Sequence, residues 1–420
     1  MCCPSALAGR PAAPTDRRPL RIGIVCFAAL GGSSTVAASL AGQLAGAGHA
    51  VFLLAPVPPL RLQAGGGVRF RAMPGAGHPL RPGAATEVDA LAQALAAVVA
   101  ADGLDVLHAH YAHPHGLAAV RARDLLPVGQ RPVVVTTLHG TEVTALAADP
   151  AMAASMRAAL LASDGVSAVS DFLADAARSV FHMPRPVVIP NAVDAVLRAP
   201  GAGGLPPRPA GQRRVLLHVS TLRPVKRAVD CVAILALVNR RLPCRLLVVG
   251  EGPDADALRR EAVRLDVADQ LCFAGATADV GSFLRQADLL LLPSASESFG
   301  MAALEAMAAG VPVVGSRVGG LVEVALDGVC ARLLPVGDVA GMAQAACELL
   351  LDPRLAAAYG QAGRRIARAR YAPAAVADAY LGLYARALGA AARARGLPCG
   401  SGDHPAANPV FTDHQPRCHR

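Results

Sequence analysis

Two glutamates eight residues apart carry the strongest chemical signal in the chain. They lie in the segment SESFGMAALE, with Glu297 in a predicted loop and Glu305 on a helix predicted to begin near Gly300. Carboxylates accept hydrogen bonds from hydroxyl groups, and the free N–H groups at a helix N-terminus bind phosphate oxygens. In this position, between a strand and a helix, the pair favours a ligand that carries both hydroxyl and phosphate groups.

A cationic turn follows an earlier predicted strand. Residues 220–227 read STLRPVKR, which places Arg223, Lys226 and Arg227 beside a predicted helix N-terminus. Arginine can bind two phosphate oxygens at once, and lysine acts as a point charge. We expect this turn to bind phosphate, and a solvated basic turn is the alternative that the sequence leaves open.

Histidines follow two predicted strands in the first half of the chain. His139 ends a β-branched run, and residues 108–115 read HAHYAHPH. Parallel sheets place functional groups at strand ends, so His139 is a candidate catalytic residue, with a structural role as the alternative. No carboxylate or cysteine stands at ligand spacing near the four histidines. We therefore expect them to line a cleft and expect no metal site.

A glycine-rich turn, Gly31-Gly32-Ser33-Ser34, connects the first predicted strand to a helix predicted over residues 36–47. Glycines allow a ligand to approach the backbone, and the helix N-terminus favours an anionic group. A tight turn without a ligand is the alternative. The segment lacks the G-x-G-x-x-G pattern of dinucleotide-binding proteins, which disfavours NAD or FAD.

Short apolar runs bounded by Gly or Pro alternate with longer stretches of helical period, and this alternation occurs twice. It predicts an α/β fold of two doubly wound domains in tandem, with a ligand cleft where the strand ends face each other. The predicted strands are 21–27, 51–55, 106–109, 133–138, 166–169, 187–189, 215–219, 245–249, 271–274, 289–292 and 313–315.

Composition places the boundaries between these parts. We expect disordered tails at 1–20 and 391–420, which are rich in Pro, Gly and Arg, and a Pro- and Gly-rich linker at 199–213. An N-terminal domain is predicted over 21–198 and a C-terminal domain over 214–372. A final helix over 373–390 is expected to cross back and clamp the two domains together.

Composition also excludes several classes of protein. At 420 residues with 53% hydrophobic and 17% charged residues, the chain is long enough for two folded domains. Much of the net charge of +9 lies in the tails, and aromatic residues make up 3%, which argues against nucleic-acid binding. Neither a signal peptide nor a membrane span is indicated, and no C-x-x-C pair occurs among the ten cysteines. We expect a cytoplasmic protein with no integral membrane association.

Together these segments resemble the retaining family 4 glycosyltransferases, which have the GT-B architecture of two Rossmann-like domains. The resemblance implies that the domain over 21–198 binds the acceptor and that the domain over 214–372 binds the nucleotide sugar. Glu297 and Glu305 meet the E-x7-E motif of the family, and the likeness runs from about Arg21 to Tyr384. Some segments are similar to the members that transfer N-acetylglucosamine from UDP-GlcNAc to L-malate, the first step of bacillithiol biosynthesis. These segments are IGIVCFAALGGSSTVAASLAGQLAGAGH, HAHYAHPHG, TTLHGTEVTAL, STLRPVKR, LVVGEGP and PSASESFGMAALEAMAAGVPVVGSRVGGLVEV.

The resemblance implies roles for individual residues on the donor side. Arg223 and Lys226 would hold the diphosphate of UDP-GlcNAc, Glu305 the ribose, and Glu297 the transferred sugar, with His139 beside it. His139, Arg223, Lys226 and Glu297 form the implied catalytic set. The remaining implied donor contacts are Gly31, Gly32, Phe299, Gly300, Met301 and Ala302.

The resemblance also implies the acceptor side and the stereochemistry. L-malate would face Ser33, Tyr111 and Thr137, with Arg61 pairing with a carboxylate. The reaction would retain the anomeric configuration through attack on the face from which UDP departs, without a metal or other cofactor. No clear carboxylate nucleophile stands near His139 in the sequence.

Two departures from the family pattern concern the charge and the acceptor. Thr221 stands where many members have an arginine, so Arg223 must supply that charge. Ser34 stands where the malate-specific members have a glycine, and a positive φ there would strain the backbone.

Several other functions remain alternatives. The first is a family 4 enzyme with another acceptor, such as inositol phosphate or a glycan or lipid-linked sugar. A UDP-GlcNAc 2-epimerase and a catalytically silent nucleotide-sugar sensor are the others. The oligomeric state is open, with a homodimer as one alternative.

Overall fold

The computed structural model describes residues 18–27, 32–59, 62, 66–75, 85–193 and 213–395. These residues form two parallel β-sheets with helices on their faces, which confirms the predicted α/β class. Most of the expected linker lies outside the described residues, as do most of the two expected tails. Within the described ranges, no helix is long and apolar enough to cross a membrane.

The first sheet has the strand order β3-β2-β1-β4-β5-β6-β7, and every neighbouring pair is parallel. Its strands are β1 Arg21–Val25, β2 Ala50–Ala55, β3 Val68–Ala72, β4 Val106–His110, β5 Val133–Leu138, β6 Gly165–Ala168 and β7 Val187–Val188.

The second sheet has the order β10-β9-β8-β11-β12-β13 and is also parallel. One of its two central strands, β11 (Leu289–Leu292), consists of four leucines. All four are buried, as expected for a sheet covered on both faces. The strands are β8 Arg214–Val219, β9 Cys244–Val249, β10 Leu271–Gly275, β11 Leu289–Leu292, β12 Val313–Ser316 and β13 Ala331–Leu334.

The helices connect successive strands and cover both faces of each sheet. The helices up to β7 are α1 Gly32–Gly46, α2 Ala85–Asp102, α3 Leu117–Asp124, α4 Thr141–Thr144, α5 Pro150–Ala162 and α6 Asp171–Phe181. After β8 follow α7 Ala228–Val238, α8 Ala255–Arg264, α9 Val280–Leu284, α10 Met301–Ala309, α11 Leu321–Val324, α12 Val339–Leu351, α13 Pro353–Arg370 and α14 Pro373–Ala394.

Two strands were missed by the sequence analysis, and both lie at sheet edges. β3 lies at one edge of the first sheet, carries two arginines and has no fully buried residue. β13 is a short strand at one edge of the second sheet. Edge strands carry charged residues that blunt unwanted pairing, which weakens the apolar signal that identifies a strand.

One core joins the two halves of the chain. It contains Met156 and Leu173 from the helices of the first half, together with Leu304 and Met307 from α10. All four side chains are fully buried. Apolar burial therefore stabilises the contact between the two sheets as well as each sheet separately.

The last helix, α14, returns to the first sheet. It starts at Pro373, as predicted, and it continues to Ala394 rather than ending at residue 390. Its buried Tyr384 hydroxyl lies 2.8 Å from Nδ1 of His108, and the Tyr380 hydroxyl lies 3.2 Å from Oγ1 of Thr137. The helix thus closes over the polar ends of β4 and β5.

We expect the substitution Tyr384→Phe to lower the free energy of unfolding by about 1–3 kcal/mol, because it leaves a buried nitrogen of His108 without its partner. Tyr380→Phe is the matched control and should cost less, since Thr137 keeps bonds to His108 and Ser167. Urea midpoints of the three proteins measure the difference. A larger loss for Tyr380→Phe would contradict this account of the helix.

Candidate functional site

The loops that follow β4, β5, β8 and β11, together with the start of α10, converge and are called here the strand-end site. The tightest approach joins the two sheets. A Cβ on Gly140, after β5, would lie 1.6 Å from the Ser298 Oγ, after β11. Gly140 has φ 123°, which also favours glycine. The loop after β5 in the first half of the chain therefore lies in direct contact with the loop after β11 in the second half.

Lys226 and Glu297 contact each other directly in this site. The Lys226 Nζ lies 2.7 Å from Glu297 Oε1, and the Ser294 hydroxyl donates to the same oxygen at 2.8 Å. Ser294 is fully buried, and the two charged side chains are mostly buried. The cationic turn and the first glutamate, which stand 71 residues apart in sequence, can therefore touch one ligand.

The second glutamate is reached through α10. Gly300 precedes the helix with φ 96°, and no side chain caps the helix N-terminus. A Cβ on Gly300 would meet Leu321 at 2.8 Å, so only glycine fits this turn without movement. Glu305 lies one turn into the helix and is buried.

The residues around Gly300 differ in whether their backbone or their side chain can reach a ligand. Phe299 packs edge-on against Tyr371 at 5.7 Å and is buried, so only its backbone can face a ligand. Met301 and Ala302, in the first turn of α10, are partly exposed. Gly32 lies opposite this turn, since a Cβ there would stand 3.5 Å from Met301 Cγ.

Arg223 lies in the loop after β8 and is partly exposed, with Nε 3.3 Å from the Thr221 hydroxyl. Its charge acts on Tyr111 of the other half of the chain. Burial raises the pKa of Tyr111, the Glu142 carboxylate adds to the rise, and the hydrogen bond to Ser33 and the charge of Arg223 oppose it. Arg223 therefore lies near enough to Tyr111 for its charge to act across the two halves of the chain.

The structure brings together only some of the predicted acceptor residues. The Tyr111 hydroxyl donates to Ser33 Oγ at 3.0 Å, and Tyr111 has φ 80°. Gly31 and Arg61 lie outside the described residues. Ser34 lies within the right-handed helix α1 and is not among the positive-φ positions, so the strain considered for it does not arise.

The assignment of Thr137 to the acceptor is wrong. Its side chain is fully buried, and Oγ1 bonds to His108 Nε2 at 2.7 Å and to Ser167 Oγ at 2.7 Å. Alternate residues of a strand share a face, so Thr137 lies on the same side of β5 as Val135, beneath α14. It therefore supports the sheet and does not face a ligand.

His139 is partly exposed at the end of β5. Its Nε2 lies 2.8 Å from Nδ1 of His110, and the two rings lie edge to edge, with their centroids 5.0 Å apart and 17° between their planes. Burial, with a smaller contribution from His115, lowers the pKa of His139 to about 3. The ring is therefore neutral at physiological pH.

The sequence analysis missed Ser294 and Glu142, and it expected His110 only to line a cleft with three other histidines. Glu142 is fully buried, and its carboxylate accepts from the backbone N–H of Gly140 at 2.9 Å and of His139 at 3.4 Å. A glutamate directly after a glycine and a threonine resembles an ordinary acid in a first helical turn. The signal available for Glu142 was only its place after the strand.

Among the described residues, no group of three or more His, Cys, Asp or Glu is arranged to hold a metal ion. The strand-end site instead presents Arg223 and Lys226 as its positive charges. Lys226 contacts the Glu297 carboxylate, and no side chain caps the start of α10, a combination suited to phosphate and hydroxyl groups.

Two family models match the chain, one in each half. The model described as Glycosyltransferase Family 4 matches residues 30–197, and that described as Glycosyl transferases group 1 matches residues 207–366.

Relatives match over most of the chain. It is 34% identical over 354 residues to N-acetyl-alpha-D-glucosaminyl L-malate synthase of Bacillus anthracis, which covers 82% of this chain and 91% of that protein. It is also 34% identical over 365 residues to Phosphatidyl-myo-inositol mannosyltransferase of Mycolicibacterium smegmatis, covering 83% and 90%.

Solved structures share the fold at low identity. Sucrose-phosphate synthase from Thermosynechococcus elongatus superposes with a TM-score of 0.74 at 23% identity, covering 88% of this chain and all of that one. Anabaena HepE in complex with UDP gives a TM-score of 0.65 at 19% identity, covering 86% and 99%.

The two parallel sheets and the two family models together define a glycosyltransferase of the GT-B fold. The chain belongs to family 4 of these enzymes.

We expect the buried carboxyl of Glu142 to give the protein a distinct pH dependence. Burial raises its pKa from 4.5 to about 7, so between these values the folded state keeps a proton that the unfolded chain has lost. The stability contributed by this group is full below about pH 4.5 and falls by about 3 kcal/mol as the pH rises to about 7.

The substitution Glu142→Gln tests this expectation, because glutamine does not titrate. The melting temperature of the variant, relative to the unaltered protein, should rise as the pH increases from about 4.5 to 7. A difference that stays constant over this range would show that Glu142 does not hold its proton in the folded state.

Proposed function

We propose that this chain transfers N-acetylglucosamine from UDP-GlcNAc to the 2-hydroxyl of L-malate, the first step of bacillithiol biosynthesis. The observation that carries the proposal is the direct contact of Lys226 with Glu297 beside the uncapped start of α10. The similarity to the Bacillus anthracis synthase over most of both chains supports the choice of substrates.

On the donor side, Arg223 and Lys226 hold the diphosphate, with N–H groups at the start of α10 completing its coordination. Glu297 accepts hydrogen bonds from hydroxyls of the transferred sugar, and Glu305 from the uridine ribose. Both cations of the site act on phosphate oxygens, so we propose that no metal ion is needed for this charge.

On the acceptor side, Ser33 and Tyr111 contact L-malate, and Arg61 pairs with a malate carboxylate. The Tyr111 hydroxyl, hydrogen-bonded to Ser33, places a polar group between the start of α1 and the ring of His139, which stands 5.0 Å from the Tyr111 ring. This arrangement leaves the malate hydroxyl next to the transferred sugar.

The reaction retains configuration, because the malate oxygen attacks the anomeric carbon on the face from which UDP departs. The bond from that carbon to the β-phosphate oxygen breaks, and this oxygen takes the proton of the malate hydroxyl. Charge accumulates on UDP as the bond breaks, and Arg223 and Lys226 stabilise it.

A second acceptor class is the main competing function. The percentage identity to the Mycolicibacterium smegmatis mannosyltransferase is 34%, the same as to the malate synthase, and a stretch of 212 residues is 35% identical to D-inositol 3-phosphate glycosyltransferase of Segniliparus rotundus. These relatives favour an inositol phosphate or a lipid-linked inositol as the alternative acceptor.

Mass spectrometry of the products distinguishes these functions. The protein is incubated with UDP-GlcNAc and, separately, L-malate, other small hydroxy acids and inositol phosphate. We expect an N-acetylglucosaminyl malate product and UDP release that depends on L-malate. An inositol phosphate product without a malate product would select the alternative, and donor turnover without any acceptor would indicate an epimerase.

Lys226 is the only lysine among the 40 Lys and Arg residues of the chain. Substitutions at this position test the catalytic role proposed for it. Lys226→Ala should lower kcat by about 10²-fold or more, as losses of preorganised charge do. Lys226→Arg is the matched control for charge, and it should recover only part of kcat because the planar guanidinium fits the position of a point charge poorly.

Steady-state kinetics with UDP-GlcNAc and the accepted acceptor measure both variants of Lys226. The proposed role requires a loss in kcat that exceeds any change in KM. A raised KM with unchanged kcat would show that Lys226 binds the donor without stabilising the transition state.

A further inference from the structure

The side chain of His139 contacts a second histidine, His110. His110 lies on β4, the strand next to β5, and it is completely buried. Its Nδ1 lies 2.8 Å from Nε2 of His139, and the rings are nearly parallel. The opposite face of His110 packs near His108, whose ring centroid is 4.7 Å away. His110 therefore has little freedom to move.

Both rings are neutral in the folded protein. Burial lowers the pKa of His110 well below its usual value, and the nearby rings of His108, His139 and His115 lower it further. Burial likewise lowers the pKa of His139 to about 3. A neutral imidazole carries one proton, so one nitrogen donates and the other accepts. Only one of the two facing nitrogens therefore carries hydrogen.

The other nitrogen of His110 decides between the two arrangements. His110 Nε2 is buried and has no hydrogen-bond partner among the described residues. If His139 donated from Nε2, His110 would carry its proton on Nε2 as a buried N–H without an acceptor. Orphaned buried N–H groups are rare and costly, whereas acceptors tolerate a missing partner better. The proton between the rings therefore belongs to His110 Nδ1.

We propose that His110 is a positioning residue that donates from Nδ1 to His139 Nε2 and thereby fixes His139 in the tautomer with its proton on Nδ1. His139 then presents an N–H donor to the ligand and cannot act as a base through Nε2. The identity of that ligand as the transferred sugar rests on the proposed function. The tautomer itself does not.

This arrangement agrees with the rest of the site. The partly exposed ring of His139 has no hydrogen bond from its Nδ1 to another described residue, so this nitrogen is available to a ligand. The backbone N–H of His139 is bound by Glu142, which fixes the residue from its other side. A donor held in this way suits a hydroxyl oxygen of the sugar, while the departing phosphate takes the acceptor proton.

Nuclear magnetic resonance of the full chain tests the tautomer without substrate. The 12 histidines are labelled with 15N in the ring, and the His139 signals are identified by their absence in His139→Gln. Long-range 1H–15N correlations should show protonated Nδ1 and unprotonated Nε2 in the unaltered protein. We expect the proton to move to Nε2 in a substantial fraction of His110→Leu molecules.

Kinetics of two His110 variants separate positioning from folding. His110→Leu should lower kcat by about 10- to 100-fold with a smaller change in KM, because a misplaced donor acts mainly on the transition state. His110→Asn places an N–H donor near the position of Nδ1 and should recover most of that loss. His182→Asn, at an exposed helix end with a left-handed backbone that asparagine tolerates, is the control and should leave kcat unchanged.

Two results would overturn the proposal. One is a His139 that carries its proton on Nε2 in the unaltered protein, and the other is equal loss of kcat in His110→Leu and His110→Asn when both melt like the unaltered chain. The expected tautomer without any N-acetylglucosaminyl product would instead reject the proposed substrates and leave the role of His110 standing.

Discussion

The close approach of the loops after β5 and β11 is the constraint on which the site depends. Gly140 and Ser298 meet so closely that no side chain fits at position 140. Ser298 is held on its other sides as well, because its carbonyl accepts from the Ser170 hydroxyl at 2.6 Å and a Cβ on Gly320 would stand 2.1 Å from that oxygen. The His139 side and the Glu297 side of the site are thereby fixed relative to each other.

Contacts away from the site support the same approach. The carboxylate of Glu323 accepts from the backbone N–H groups of Asp171 and Phe172 at 2.8 and 2.7 Å, which satisfies the N-terminus of α6 across the boundary between the sheets. A negatively charged carboxylate at the N-terminus of a helix also interacts favourably with the helix dipole. Burial raises the pKa of Glu323, which is a sign that the charge is removed from solvent to make this contact.

Much of this arrangement could be predicted from the sequence, because its signals are local. Apolar runs and glycine boundaries identified the interior strands, and the position of Glu297 and Glu305 between a strand and a helix indicated a shared ligand. Thr137 shows where the family resemblance fails. The resemblance implied that Thr137 faces the acceptor, but its side chain lies beneath α14 and contacts Tyr380, 243 residues later in the chain.

The residues that were missed share that dependence on distant partners. Ser294 contacts Glu297 and has no distinctive sequence pattern, and the histidine-rich run that contains His110 does not show that His110 contacts His139. The His110–His139 pair joins residues 29 positions apart on adjacent strands. Sheet order decides such pairs, and sheet order follows from the packing of the whole domain rather than from any one segment.

Charge is distributed unevenly across the site, and this asymmetry follows from burial. The histidines after β4 and β5 lie where desolvation keeps them neutral, so they offer directional hydrogen bonds without positive charge. The positive charge comes instead from Lys226 and Arg223 on the second sheet. Glu297 compensates the charge of Lys226, which lowers the cost of holding an ammonium group in a mostly buried position. In the proposed reaction, the diphosphate of the donor would take over this compensation and release Glu297 for hydroxyl groups, so the ion pair would prepare both of its members to bind that donor.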